Sequence, residues 1–173
     1  IRRYGKIRIQ DLLRLRVSLK KALPFIITAD HGINIHRDIP NHPLNGHIPF
    51  IIYSPMIDSP LESNKIVSQI DILPTVLDLM GEDHFLPQLY GNSALKGGDG
   101  FACRVTHHGL QWITPNHTYY EFMGNDEQHL FSYSSIWDDM YTELPISDSH
   151  FNSLKIQSQH YIQHAYYKFK RMY

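Results

Sequence analysis

The sequence contains a single cysteine, Cys103. One thiol cannot form an internal disulfide, and it cannot supply a metal cluster built on several thiolates. No uninterrupted apolar run approaches the ~20 residues of a membrane-spanning helix, and the net charge of -1 selects no class of partner. These absences exclude a scaffold held by internal disulfides and a metal site made of several Cys ligands.

Charge is distributed unevenly along the chain. Residues 1–21 hold eight of the sixteen Lys and Arg residues and one of the seventeen acidic residues, so the rest carries eight basic and sixteen acidic residues. Within residues 8–21 the apolar positions fall at roughly helical spacing, which predicts a basic amphipathic helix. Such a helix is typical of a solvated face, and the alternative is an arm that contacts nucleic acid or anionic lipid.

Two short apolar runs and one helical pattern follow this arm. Residues 25–29 and 49–53 are rich in β-branched and aromatic side chains. Such runs are typical of strands buried on both faces, which predicts a parallel pair. Residues 71–81 predict a helix, with Asp71 at its amino end and Gly81 in the left-handed position that terminates it.

The pattern changes after residue 90, where apolar and polar residues alternate in short stretches. They predict a small antiparallel sheet of about four strands, at residues 101–106, 109–114, 118–123 and 129–133. Its aromatic residues are explained most simply as a core, and the alternative is a platform for a carbohydrate or a lipid head group. Residues 147–173 predict a closing helix that starts near Ser147 or Asp148 and has one face made of Ile156, His160, His164 and Tyr167.

These elements together predict an α/β architecture that carries a β appendage. We divide the chain into a basic helix (1–24), a strand-loop-strand-helix block (25–90), and a sheet with a closing helix (91–173). The last two belong to one domain.

Asp30 and His31 come directly after the first predicted strand. Ligand sites in open α/β sheets gather at the carboxyl ends of strands. The pair offers one oxygen and one nitrogen donor to a single hard or borderline cation, and Gly32 lets the backbone turn away. By itself the triplet fits equally a strand end at which Asp30 caps a turn.

Three segments together resemble a known family. FIITADHG at 25–32, HIPFIIYSP at 47–55 and VSQIDILPTVLDLMG at 67–81 are similar, in order and spacing, to a block of the alkaline phosphatase and sulfatase superfamily. The likeness is greatest to its lipoteichoic-acid-synthase-like branch. It extends less specifically to about residue 140, and it does not include residues 1–21.

The resemblance implies the carboxyl-terminal part of an alkaline-phosphatase-like sandwich and a metal-dependent transfer of phosphoryl or sulfuryl groups. The activity would be that of a sulfatase-like hydrolase or of a phosphoglycerol or phosphoethanolamine transferase. Asp30 and His31 are then ligands of a divalent cation, which is Mn, Mg, Zn or Ca in different branches. His47 and His42, which lie near the second strand, are candidates for donating to the substrate by their position, and the alternative for each is a surface or turn histidine. The nucleophile of such enzymes is a Thr or a modified Cys in their amino-terminal half, and we find no equivalent in this sequence.

The implied partners are a phosphate or sulfate ester, with a lipid head group or a polysaccharide, and the amino-terminal half of the enzyme. The implied location is the extracytoplasmic face of a bacterial membrane. We expect the two apolar strands to be covered by a second copy of the chain or by residues 8–21. The alternative function is a non-catalytic scaffold module whose basic arm binds nucleic acid or anionic membrane; on the enzyme interpretation, nucleic acid is not an expected partner.

Overall fold

The computed structural model describes residues 24–33, 42–55, 57–82, 90–106, 108–138 and 141–172. The basic helix predicted at residues 8–21 lies outside these ranges. Contacts divide the chain into two compact units. Of the described residues, the smaller unit holds those up to Ala29 together with Pro49–Glu62, and the larger holds Asp30–Ile48 and the chain from Ser63 onward.

The smaller unit contains a two-stranded sheet. Strand β1 (Phe25–Thr28) pairs with β2 (Phe50–Tyr53), and Phe25 lies opposite Tyr53. The pair is antiparallel, so the parallel pairing expected from the sequence is wrong. Parallel strands need a crossover, usually a helix, whereas the described part of this connection contains only a 3-10 turn. Burial on both faces is also wrong, because Ile27 and Ile51 are exposed.

The larger unit begins with short helical elements. Pro43–Gly46 and Gln69–Asp71 form 3-10 turns, and helix α1 (Ile72–Leu79) continues directly from the second. Gly81 ends this segment with a φ of 77°, which confirms the left-handed terminating position. Asp71 stands at the amino end as expected, but its carboxylate reaches backwards and accepts from the backbone N–H of Ser68 at 2.7 Å.

A five-stranded antiparallel meander follows. The order of its strands in the sheet is their order in the sequence: β3 (Ala102–Thr106), β4 (Gly109–Ile113), β5 (His117–Phe122), β6 (Gln128–Ser132) and β7 (Thr142–Leu144). The four strands predicted from alternation are confirmed, and β7 is an addition to them.

Helix α2 (Ser149–Met172) packs on one face of the meander. Asp148 precedes it and accepts from the backbone N–H of His150 at 2.8 Å, which confirms the predicted start. The buried core joins two residues of the helix to three of the sheet: Phe151, Leu154, Trp112, Tyr119 and Leu130. The helix face made of Ile156, His160, His164 and Tyr167 is exposed, and the residues that meet the sheet lie on another face.

The described chain therefore has the predicted α/β fold, with a small antiparallel sheet and a carboxyl-terminal helix. None of its described helices is long and apolar enough to cross a membrane. The division at residues 24 and 90 stays a prediction.

Candidate metal centre

Asp30 and His31 lie in the turn that follows β1 along the chain. Their side chains are 92% and 79% exposed, and Oδ1 of Asp30 lies 3.8 Å from Nε2 of His31. Neither side chain is packed in a core, so both are accessible to a cation from solvent. One oxygen and one nitrogen donor at this separation are close enough to contact the same ion with small side-chain adjustments.

The hydrogen bonds of His31 determine which ring nitrogen is available. Nδ1 lies 3.0 Å from the carbonyl oxygen of Gly32, and a carbonyl only accepts, so Nδ1 carries the hydrogen. In the neutral ring Nε2 then keeps the lone pair with which imidazole binds a metal. The backbone N–H of His31 donates to Oδ1 of Asp30 at 3.0 Å, which holds the carboxylate beside the ring.

Two contacts within the larger unit position this turn. Gly32 lies against the backbone at Gly46 and His47: a Cβ at Gly32 would stand 2.6 Å from the carbonyl oxygen of His47. The side-chain amide of Gln69 donates to the carbonyl oxygen of Asp30 at 3.1 Å. The Asp-His-Gly turn therefore touches residues from the other two segments on which the family resemblance depends.

His47 and His42 have different surroundings. His47 is exposed, and its ring meets that of Trp137 edge-on, with centroids 5.2 Å apart. His42 is fully buried; its Nδ1 accepts from the backbone N–H of Leu44 at 3.1 Å, and its Nε2 lies 3.3 Å from the carbonyl oxygen of Asp138. These bonds are typical of a structural histidine that caps a turn. A role in substrate binding stays a prediction for both residues.

The third segment that resembles the family, residues 67–81, stabilises the fold through hydrogen bonds to a neighbouring turn. The Asp71 carboxylate accepts from the backbone N–H of Asn92 at 2.6 Å, and the hydroxyl of Thr75 accepts from that of Ala94 at 2.9 Å. A Cβ at Gly91 would clash with the carbonyl oxygen of Ile70 in the 3-10 turn Gln69–Asp71, so only glycine permits this close approach. Asp71 and Thr75 thus fasten the 91–94 turn to the start of α1.

The donors present fit part of a metal site. Carboxylate and imidazole are both used as ligands by Mn, Zn, Mg or Ca, with preferences that differ between the metals. A protein metal site has, as a rule, at least three ligands from side chains. No cluster of three or more His, Cys, Asp or Glu residues suited to a metal is present in the described ranges. Within those ranges Asp30 and His31 are two donors that could contact one cation, and no third His, Cys, Asp or Glu completes a group with them.

Comparison with known families identifies one match. Residues 12–82, under half of the chain, match the family model for Sulfatase. This match supports the alkaline phosphatase and sulfatase superfamily. The segment includes Asp30, His31 and all three motifs of the superfamily block, and it begins at residue 12. The expectation that the resemblance leaves out all of residues 1–21 is therefore wrong. The comparisons with curated proteins and with solved structures find no match.

Sequence reasoning did not single out Gln69, which lies beside this turn. Its amide bond to the carbonyl oxygen of Asp30 is a tertiary contact that no local pattern indicates.

Proposed function

We propose that this chain is the carboxyl-terminal part of a metal-dependent phosphoryl- or sulfuryl-transfer enzyme, in which Asp30 and His31 bind a divalent cation. The observation that carries the proposal is the geometry of the pair. Both side chains are exposed, Oδ1 and Nε2 lie 3.8 Å apart, and the Gly32 carbonyl holds the other ring nitrogen. The Sulfatase match over the same residues supports this choice of reaction class.

The residues of the chain have distinct tasks in this proposal. Asp30 contributes negative charge and an oxygen ligand, and His31 a neutral nitrogen ligand oriented by Gly32. Gln69 and the Gly46–His47 backbone hold the turn in position, which preserves the separation of the two donors. A divalent cation held there would neutralise charge on the ester and lower the pKa of the attacking hydroxyl.

The finer assignments are part of the same proposal. The Ile-Pro strand motif and the Gln-Ile-Asp-Ile-x-Pro-Thr helix motif favour the lipoteichoic-acid-synthase-like branch, with Mn, Mg, Zn or Ca as the cation. The substrate is then a phosphate or sulfate ester attached to a lipid head group or a polysaccharide, met at the extracytoplasmic face of a membrane. His47 stands beside the turn and is exposed, so it is better placed than His42 to donate to this substrate.

We assign the nucleophile to the amino-terminal half of the enzyme, as the resemblance implies. The 173-residue chain by itself is therefore expected to show no phosphodiesterase or sulfatase turnover, since a cation without an aligned attacking group loses the advantage of positioning. Turnover that depends on Asp30 would place the nucleophile among the Ser and Thr residues of this sequence.

Titration of the chain with Mn²⁺ tests the metal site. NMR signals of the His31 ring are expected to broaden first, because the paramagnetic ion relaxes the nuclei nearest to it. Asp30→Asn and His31→Gln should each weaken binding by at least tenfold, on the order of the loss seen when even an outer-shell group is removed. Asp58→Asn and His160→Gln are matched controls at exposed positions. Equal Mn²⁺ affinity in all four variants would refute the site.

A further inference from the structure

The two tryptophans of the chain have opposite surroundings. Trp112 is buried in the core at 3% exposure, whereas Trp137 is 61% exposed. A single apolar side chain on a surface is ordinary in itself. An indole, however, is a large flat apolar group with one polar N–H, so the neighbours of Trp137 decide whether its open surface can bind something.

Trp137 lies in a tight turn that is closed by hydrogen bonds. The backbone N–H of Asp138 donates to the carbonyl oxygen of Ser135 at 3.0 Å. In return, the backbone N–H of Ser135 donates to the Asp138 carboxylate at 2.8 Å, and that of Trp137 donates to the Ser135 hydroxyl at 3.2 Å. These bonds restrict the backbone that carries the indole, which reduces the entropy that a ligand would have to remove on binding.

A buried histidine attaches this turn to the segment that carries His47. The Nδ1 of His42 accepts from a backbone N–H, so in the neutral ring its Nε2 carries the hydrogen and donates to the carbonyl oxygen of Asp138 at 3.3 Å. The ring of His42 also stacks on that of Tyr141, with centroids 4.4 Å apart. His42 is fully buried, so this attachment is shielded from water and fixes the turn relative to residues 42–47.

The indole meets the imidazole of His47 beside the candidate metal centre. The two rings are edge-on to each other with centroids 5.2 Å apart, and both residues are exposed. The backbone of His47 lies in turn against Gly32, where a Cβ would stand 2.6 Å from the His47 carbonyl oxygen. Two contacts therefore lead from Trp137 to the Asp-His-Gly turn. Among the described residues, His47 is the only one whose ring lies against Trp137.

We infer that Trp137 and His47 form a subsite for a sugar ring of the ester substrate, next to the group that is transferred. The inference rests on the proposed function, and it narrows the substrate class to an ester of a carbohydrate. A pyranose ring has an apolar face of C–H groups and a rim of hydroxyls. The open indole suits the face, and the imidazole suits the rim because it can donate or accept a hydrogen bond. A quaternary ammonium head group is recognised by a cage of several aromatic rings, whereas a single indole is open here.

NMR titration of the native chain without added metal tests the subsite, because each tryptophan gives its own indole N–H signal. The probes are the methyl glycosides of glucose, galactose and N-acetylglucosamine. With at least one of them the Trp137 indole signal and the His47 ring signals should shift together, and the signal of buried Trp112 should stay in place. In Trp137→Leu the His47 shifts should need about tenfold more glycoside, since the stacking face is lost. Tyr167→Leu, at an exposed aromatic position of α2, should match the native chain.

The inference is overturned if none of the three glycosides shifts the Trp137 signal, or if Trp137→Leu responds at the same concentration as the native chain. Choline chloride is titrated in parallel at matched ionic strength. A Trp137 shift with choline alone would assign the surface to a cationic head group and overturn the sugar subsite. The metal site is judged separately. Glycoside shifts in a chain that binds no Mn²⁺ support the subsite and refute the metal site, and Mn²⁺ binding without glycoside shifts does the reverse.

Discussion

Two regions of the molecule are stabilised in different ways. The motif region, residues 24–82, buries mainly small or polar side chains, among them His42, Asn45, Asp71 and Thr75. The meander region, residues 102–172, buries aromatic and aliphatic side chains around Trp112 and Leu130. The first depends on individual hydrogen bonds and glycine contacts, and the second on apolar area removed from water. The candidate metal centre lies in the motif region, where removing a single hydrogen-bonding atom or adding one Cβ is expected to change the structure locally.

The largest effect is expected in the meander region. Leu130→Ala removes a fully buried side chain from the centre of the core, and it should lower the free energy of unfolding by about 2–5 kcal/mol. Ile51→Ala, in a strand where the side chain is 52% exposed, should lower it by less than about 1 kcal/mol. Urea denaturation measures both. Similar losses in the two variants would mean that the regions do not differ in this way.

Thr75→Val tests the hydrogen bonds of the motif region with almost no change in volume. The backbone N–H of Ala94 would lose its acceptor in this part-buried contact, and a donor left without a partner costs up to about 1–3 kcal/mol. Thr142→Val, at an exposed position in β7, is the matched control and should change stability by no more than about 0.5 kcal/mol. The same denaturation experiment decides. If Thr75→Val is as stable as the native chain, the bond from Ala94 to Thr75 does not stabilise the 91–94 turn.

Gly32→Ala separates the geometry of the site from the stability of the fold. The added Cβ would press on the backbone at His47, so the Asp30–His31 turn must move. Mn²⁺ affinity should fall about tenfold, as for other changes that displace a ligand. Gly97→Ala is the control, because a Cβ there meets nothing within 4 Å. Calorimetric titration of both variants would contradict the assigned role of Gly32 if their affinities were equal.

The smallest effect concerns pH and belongs to the meander region. His129 lies between the carboxylates of Glu143 (2.6 Å) and Glu127 (2.9 Å). The hydrogen bond that His129 donates to Glu143 raises the pKa of His129 above its ordinary value; burial opposes this shift, and the bond that His129 donates to Glu127 adds to it. Because the folded state then holds the proton more tightly than the unfolded state, the resulting stabilisation is complete below about pH 6.5. It is lost as pH rises through the folded pKa.

Unfolding midpoints of native chain and His129→Gln should accordingly differ at about pH 6 and converge at alkaline pH. His160→Gln, on the exposed face of α2, should show no such pH-dependent difference. A constant difference between native chain and His129→Gln at all pH values would show that His129 contributes through packing alone.

The sequence predicts some of these features well because they depend on local pattern. Alternation of polar and apolar residues was sufficient to place β3 to β6, and Gly81 marked the end of α1. Strand β7 was missed, because three residues carry too little pattern. The antiparallel pairing of β1 with β2 was missed because periodicity contains no information on strand direction.

The candidate site was predictable only where its residues are adjacent in sequence. Asp30 and His31 follow a strand and match a motif, so the pair could be named. The amide of Gln69 comes to this turn through tertiary structure. His42 was predicted alongside His47 from its loop position, but it is buried and its hydrogen bonds are those of a structural histidine. Composition and spacing do not report burial.

The bonds made by Asp71 and Thr75 have a consequence for how relatives of this chain are recognised. The Gln-Ile-Asp-Ile-x-Pro-Thr signature contains the side chains that bond the start of α1 to the 91–94 turn. Such bonds are needed for as long as the protein must fold. A chain that has lost its reaction would therefore still carry the signature. In a genome survey, residues 69–75 would identify the architecture, and under the proposed function the state of positions 30 and 31 would be read separately from it.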